Sequence, residues 1–393
     1  MNYNVAKKTE NDCCGCEACA QLCPHHCICM KENDRGFLLP MVDETQCVLC
    51  GMCISHCPEQ KAFQLHKTQT AYAAIAKDRE EQKKSTSGGL FGIMADWVLQ
   101  HKGVVFGCTQ ENVTEIKHIA VQWSQDIDRI RQSKYVQSRI GTAYKEAKQM
   151  LMNNQIVLFS GTVCQIAGLY AFLGKEYDSL YTVEVACHGV PSPGLFRSYV
   201  SWREKQEGSR MVRFRFRHRD LHNTGEHYKS CAEFENGKKE YYLVEEDPYY
   251  GSFIAGKTLR GTCYHCRYKN VLRIADLTLC DFWGIEKEFR FFPAQYGASA
   301  VLVNTKKGHK LFTSIESQIL AKKCSTEAVL CHNHSLTTSA TCDEDKRYKS
   351  ANADQMELLL RSLSVDQDQK RKIKKIVKGY VPGWLIFYLK RLR

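Results

Sequence analysis

The stretches CCGCEACAQLCP (13–24) and CVLCGMCISHCP (47–58) write one pattern twice: Cys13-x2-Cys16-x2-Cys19-x3-Cys23-Pro24, then Cys47-x2-Cys50-x2-Cys53-x3-Cys57-Pro58. Three cysteines two residues apart wrap a tight loop around the corners of an iron–sulfur cluster, and Gly15 and Gly51 give that loop room to turn close to inorganic sulfur. Pro24 and Pro58 then stop the chain. Between the runs, Gly36-Phe37-Leu38-Leu39-Pro40 reads as an extended connection on which the two halves of this internal duplication fold back.

Eight thiolates so spaced resemble a bacterial two-cluster ferredoxin, where the fourth Cys of each run ligates the other cluster. The reading assigns Cys13, Cys16, Cys19 and Cys57 to one 4Fe-4S cluster, and Cys47, Cys50, Cys53 and Cys23 to a second. Four thiolates also suit a closed tetrahedral zinc site, but zinc sites are built from pairs, whereas each run here is a triplet followed by x3-Cys-Pro. Cys14, Cys27 and Cys29 fall outside the pattern as extra thiols.

The chain has 393 residues, 21 of them Cys, and no long apolar run. That length supports two or three packed domains. The opening MNYNVAKKTENDCC holds no apolar stretch that could serve as a signal peptide, so a cytoplasmic location is expected. In a reducing cytosol, cysteines in ligand spacings argue for metal rather than disulfides. The formal charge of +12 is mostly one segment, since 370–393 carries nine basic residues and no acid. A near-balanced body with a basic tail excludes a duplex-binding domain, and no nucleic-acid partner is expected.

After residue 70 the pattern becomes that of an α/β protein. Leu90 to Gln100 is apolar at helical spacing, while Gly103 to Gly107, Ile156 to Ser160 and Leu180 to Ala186 read as buried strands. The second of these runs through Gly161-Thr162 into an apolar helix ending at Leu173. Ligands of such βαβ units gather beyond the carboxyl ends of the strands, which places Cys164 and Cys187 on one crevice. Either thiol alone reads equally well as a buried structural Cys. Cys263-x2-Cys266 alone is half a zinc knuckle. Together with Cys164 and Cys187 it completes four thiolates, enough for a third 4Fe-4S cluster.

Six segments in order, KSTSGGL (84–90), SKYVQS (133–138), FSGTVCQIAGL (159–169), VACHGVPSP (185–193), RGTCYHCRY (260–268) and ADLTLCDFWGI (275–285), resemble the beta subunit family of coenzyme F420 hydrogenases and dehydrogenases. The likeness covers roughly residues 10 to 310. It implies an iron–sulfur flavoprotein oxidoreductase that takes electrons from ferredoxin or a partner subunit through its clusters to non-covalent FAD, and on by hydride transfer to a small molecule. Clusters carry one electron and hydride transfer needs two, which is what a flavin reconciles.

Carried over to this chain, the resemblance points to Lys84, Ser85, Ser87, Gly88 and Gly89, with Ser133, Lys134 and Tyr135, as the flavin pocket. Lys134 would meet a phosphate or reduced-flavin charge and Tyr135 would stack. For the 84–89 segment, an ordinary helix cap is the competing reading. Catalytic candidates are His188, as a proton donor, and Asp281; Asp276 and Asp281 could orient the pocket or relay a proton, with buried caps as the competing reading for both. Val163 stands where relatives carry Pro, and Cys280 where Gly is common.

The expected architecture is multidomain, α+β with α/β: a ferredoxin-like module (1–68), a flavin-binding N-terminal part of the body (69–180), a C-terminal part with further cluster ligands (181–355) and a basic amphipathic tail (356–393). In MVRFRFRHRD, Arg213, Arg215, Arg217 and Arg219 alternate with Phe214 and Phe216, which predicts a half-buried strand with a cationic outer face. Trp384 to Leu389 is far shorter than the about 20 residues that span a bilayer, so the tail is expected to lie on an anionic membrane surface or to dock on the body.

Overall fold

The computed structural model describes residues 4–218, 229–244, 246–350 and 356–359. The basic tail from 370, Arg219 and the segment around it lie outside the described residues. The strands, in chain order, are β1 (Ile28–Glu32), β2 (Leu38–Val42), β3 (Thr70–Ala76), β4 (Val104–Gln110), β5 (Ile116–Val121), β6 (Val157–Thr162), β7 (Leu180–Val185), β8 (Met211–His218), β9 (Lys229–Phe234), β10 (Lys239–Leu243), β11 (Leu277–Asp281), β12 (Ser299–Val303) and β13 (Ile319–Cys324).

Eight of them form one mixed sheet in the order β13-β3-β12-β11-β7-β6-β4-β5. Its centre is parallel, β4 against β6, β6 against β7 and β7 against β11. The flanks β5, β12, β3 and β13 run antiparallel to their neighbours. Parallel strands are covered on both faces and read as unbroken apolar runs. Val157, Leu158 and Phe159 are accordingly all fully buried.

Alternation sorts these side chains between two cores. Val105, Leu158, Tyr181 and Val183 face the helix Leu90–Gln100 through Leu90, Met94 and Val98. Val104, Phe106, Val157 and Phe159 face the helices Ala143–Met152 and Val163–Leu173 through Tyr144, Ala147, Ile166 and Leu169. Cys14, Cys16 and Ala18 of the N-terminal region belong to that second core.

A buried ion pair links central strand β7 to the segment leading into β11. Arg273 and Glu184, with side chains 2% and 0% exposed, bond each other, and Glu184 also accepts from Thr278 Oγ1 at 2.8 Å and Ala275 N at 3.3 Å. Since β7, β11 and their partners are continuous with β3 to β6, the expected boundary at 180/181 falls inside this sheet.

In the N-terminal region β1 and β2 form an antiparallel hairpin, with the short helices Ala18–Leu22 and Met52–Ser55 beside it. The expected extended connection is therefore the turn and most of the second strand of a hairpin. β8, β9 and β10 form a separate three-stranded sheet. A register shift between Arg215 and His218 breaks the alternation of β8. Phe214 and Phe216 are buried as expected, but Arg217 is buried with them, so the uniform cationic face is not realised. Among the described residues no helix is long and apolar enough to cross a membrane.

Candidate functional site

The ferredoxin-like thiols gather around two small hollows. One is lined by Cys13, Cys16, Cys19 and Cys57, with Cys14, Glu17, Pro58 and Glu59. The other is lined by Cys23, Cys47, Cys50 and Cys53, with Cys27, Pro24 and Gly51. Each hollow thus holds three cysteines of one run and the fourth of the other. Burial, then the proximity of the Cys13, Cys57 and Cys53 thiols, pushes the Cys19 thiol far up. Cys23 and Cys27 lie with their sulfurs 3.3 Å apart. Among the described residues, no group of three or more His, Cys, Asp or Glu is arranged to hold a single metal ion.

Cys164 opens the first turn of Val163–Leu173, because Thr162 ends β6 and caps that helix, with Gln165 closing a reciprocal capping box. Cys187 follows the end of β7. The turn Gly261–His265 supplies Cys263, and Cys266 caps it. These three segments bring the thiols into one neighbourhood. Burial, then Cys187, Cys164 and Cys266, raises Cys263. Burial, then Cys164 and Cys187, raises Cys266 to about 12.

Beyond the carboxyl ends of β4, β6, β7 and β11 opens a cavity of about 440 Å³. Cys164, Cys187, His188 and Asp281 line it, as do Ser85, Ser87, Gly89, Ser133, Lys134 and Tyr135. Six of the eight residues assigned to the flavin pocket thus line one cavity. Lys84 and Gly88 do not. Lys84 ends the helix Arg79–Lys84, and Gly88 is a packing residue, where a Cβ would come within 2.4 Å of Ala74 O. Its N–H donates to Ser299 Oγ at 3.0 Å, stapling the loop to β12. Gly89, at φ +93°, turns the chain into the helix Leu90–Gln100. The first residues of that helix face the cavity, and their N–H groups have no intrahelical acceptor.

Lys134 donates to Cys108 O at 2.8 Å and to Arg131 O, and burial pulls its pKa down to about 8. The Tyr135 ring stacks on Phe253 with centroids 5.0 Å apart and meets Phe216 edge-on. His188 lines the cavity with a buried Nε2 that bonds no described residue. Burial, then the nearby Lys269 charge, lowers its pKa, so the ring is held neutral. Asp281 pairs with Arg217 at 3.0 Å. Asp276 sits apart from the cavity, accepting from Thr182 N and Oγ1 at 2.9 Å and from Thr305 Oγ1 at 2.5 Å. It is a buried cap.

The cavity wall also holds residues that the sequence did not single out. His118 donates from Nε2 to Ser160 O at 3.0 Å and accepts at Nδ1 from Ser138 Oγ at 3.2 Å, an assignment fixed by the carbonyl being an acceptor only. Burial lowers its pKa to about 4. Arg131 pairs with Glu81 and, at 2.7 Å, with Asp128. Gly92 makes room for this pair, since a Cβ there would come within 2.1 Å of both Arg131 and Glu81. The only available signal for Gly92 was a glycine inside an apolar helix. His118 sits in an ordinary alternating strand and gave none.

Residues 154–328 match the family model for the C terminus of the coenzyme F420 hydrogenase/dehydrogenase beta subunit. Among solved structures, a chain of the F420-reducing [NiFe] hydrogenase complex from Methanosarcina barkeri is similar at 16% identity, over 81% of this chain and 97% of that one, with a TM-score of 0.43. No curated protein matches the chain.

Proposed function

We propose, from the match of residues 154–328 to the family model for the C terminus of the coenzyme F420 hydrogenase/dehydrogenase beta subunit, that the chain is an iron–sulfur flavoprotein oxidoreductase. It would take electrons from ferredoxin or a redox partner subunit and deliver them as hydride to a small molecule. The observation that carries this reading is the single cavity that Cys164 and Cys187 line together with Ser85, Ser87, Ser133 and Lys134.

The residues present fit both groups. Cys13, Cys16, Cys19 and Cys57 would hold one 4Fe-4S cluster, Cys23, Cys47, Cys50 and Cys53 a second, and Cys164, Cys187, Cys263 and Cys266 a third. The first turn of Leu90–Gln100, fronted by Ser85 to Gly89, offers unspent N–H groups where a pyrophosphate would lie. Bound clusters would supply single electrons and a bound FAD would pair them for hydride transfer.

The remaining work falls to the chain's own side chains. Lys134 keeps a third ammonium donor for an anionic ligand once two carbonyls are satisfied. His188, neutral and with Nε2 unspent among described residues, can hold a proton at the cavity wall. The Arg217–Asp281 pair fixes the charge at the mouth of β11, and Phe253 with Ile254 keeps that side apolar.

A second reading has the chain passing electrons with no catalytic site of its own. Iron, sulfide and flavin analysis after anaerobic purification separates the two. About twelve irons and one FAD per chain are expected from three four-iron clusters. Eight irons would remove the third cluster, and full iron without flavin would favour the second reading.

A further inference from the structure

The two cysteine runs are copies of one loop, and the fold treats the copies differently. Cys14, Gly15 and Glu17 stand in the first where Val48, Leu49 and Gly51 stand in the second. The first loop is covered by the body. Cys14 is 7% exposed, and Gln137 Nε2 donates to its carbonyl at 3.0 Å. Fully buried Arg260 donates to Cys13 O at 2.5 Å, and Glu17 accepts from Arg139 Nε at 3.0 Å and Ile140 N at 2.9 Å. Gly15, at φ +67°, leaves room for that cover, since a Cβ there would come within 2.3 Å of Gln137.

The second loop is bare. Val48 and Leu49 are 59% and 55% exposed, and Cys50 is exposed beside them. A Cβ at Gly51 would meet nothing within 4 Å. Among the described residues, the hollow that these four line draws only on residues 4–53, and no Lys, Arg, Asp or Glu is part of it. Leu49 holds φ +55°, the left-handed conformation of its counterpart Gly15, which disfavours any residue with a Cβ. Burial does not explain a leucine there. The flank of the loop is acidic. Of the six formally charged side chains between Cys23 and Cys53, Glu32 pairs with Arg197 and Arg35 with Glu10, which leaves Asp34, Asp43 and Glu44 against Lys31. Asp43 and Glu44 are exposed, and they adjoin the hollow because Asp43 N donates at 2.8 Å to the carbonyl of Cys27, which lines it.

We propose that the bare second loop, at Val48 and Leu49, is the docking face for the electron donor, a protein whose own contact face is apolar and edged by Lys or Arg. This rests on the two-cluster reading of the ferredoxin-like region and does not need the third cluster. The first copy of the loop shows what such a loop takes as cover, namely a protein surface. The second copy offers exposed apolar side chains with an acidic flank to a surface from outside the chain. The donor gives up one electron and the cluster of Cys23, Cys47, Cys50 and Cys53 gains it; no bond forms or breaks and no proton moves. The electron then passes inward, because the first hollow is the one that the body covers.

The test uses the anaerobically purified full chain and, as probe, a basic cytochrome c, whose apolar haem edge is ringed by lysines. Calorimetric titration with redox-inert zinc-substituted cytochrome c reads binding, and stopped-flow oxidation of the dithionite-reduced chain by ferric cytochrome c reads electron transfer. Leu49→Gly and Val48→Lys are expected to keep the wild-type iron and to weaken both by about tenfold. Glu44→Lys, outside the thiol loop, is expected to weaken both by about threefold, and it alone decides if the loop variants lose iron. Phe291→Lys, at a site on the body that is 87% exposed, should change neither. Unchanged binding in the iron-replete variants would overturn the proposal and leave the cluster reading intact. So would equal or tighter binding of an acidic two-cluster ferredoxin, or a wild-type dimer that Val48→Lys dissociates, which would make a second copy of the chain the occupant. Wild type with fewer than about eight irons would overturn the two-cluster reading, and the proposal with it.

Discussion

The ferredoxin-like region and the cavity at the sheet solve the same problem, gathering thiols, by opposite means. In the first, eight cysteines come from 13–57 and are presented by tight loops around a small cluster of Val5, Cys23, Cys27, Ile28 and Cys53. In the second, Cys164, Cys187, Cys263 and Cys266 come from three distant segments, and their placement is inherited from a sheet with apolar cores on both faces. A region with so little apolar burial leans on what it packs against and on any cluster it binds. The cavity leans on the fold beneath it. Damage to the sheet should therefore take both regions down, and damage to the N-terminal region should spare the cavity.

The heaviest test is Arg273→Met. It leaves Glu184 of β7 charged and buried beside β11, which typically costs about 3–5 kcal/mol. Urea unfolding should show that loss, and the shape of the cavity and of the N-terminal hollows should go together. A variant that unfolds at the wild-type midpoint would show that the sheet does not carry the site.

Arg260→Met asks the converse question. Arg260 ties Cys13 O, Gln137 Oε1 and, at 2.7 Å, Leu38 O to the body. Its loss is expected to cost about 2–3 kcal/mol, the worth of one charged hydrogen bond or somewhat more. Limited proteolysis should then cut first within 1–68 while the body stays intact. Simultaneous digestion of both regions would erase the distinction between them.

The same contrast decided what the sequence could say. Cysteine spacing is a local property, so the eight cysteines were readable from one stretch, and so was the grouping of each run's fourth cysteine with the three of the other run. The parallel strands were readable because burial on both faces leaves continuous apolar runs. The cavity was only half readable. Ser85, Ser133 and Lys134 came from family resemblance, whereas His118, Arg131 and Cys14 became site residues only when β5, the 129–138 segment and the N-terminal loop met in space. The β8 arginines misled for a physical reason: the bulge before His218 turns Arg217 inward to Asp281, and no period-2 reading anticipates a bulge.

A smaller effect separates the regions by pH. The folded His118 has its pKa lowered to about 4 by burial, below the usual imidazole value, so the unfolded chain binds a proton that the folded chain refuses as pH falls below about 6.5. Stability is therefore lost on acidification through that window, by about 2 kcal/mol between pH 7 and pH 5. His118→Gln keeps a donor for Ser160 O and an acceptor for Ser138 and should flatten that slope. An unchanged slope would assign the acid sensitivity to other groups.

The finest test concerns Lys134, where stability and binding should part company. Its ammonium spends two donors on Cys108 O and Arg131 O and is desolvated enough to titrate near pH 8. Replacing it by Met removes a costly buried charge along with those two bonds, so the net change in stability should stay within about 1 kcal/mol. Affinity for an anionic ligand such as FAD should fall about tenfold, 1.4 kcal/mol, because a charge-assisted contact is gone. The sign of the pH dependence follows from the same group. Below about pH 8 Lys134 is cationic and affinity is full; a bound anion raises its pKa, so affinity declines only as pH climbs above 8. Fluorescence titration with FAD from pH 6.5 to 9.5 should show that decline in wild type and a flat line in Lys134→Met. A decline of equal size in the variant would place the anion elsewhere on the cavity wall.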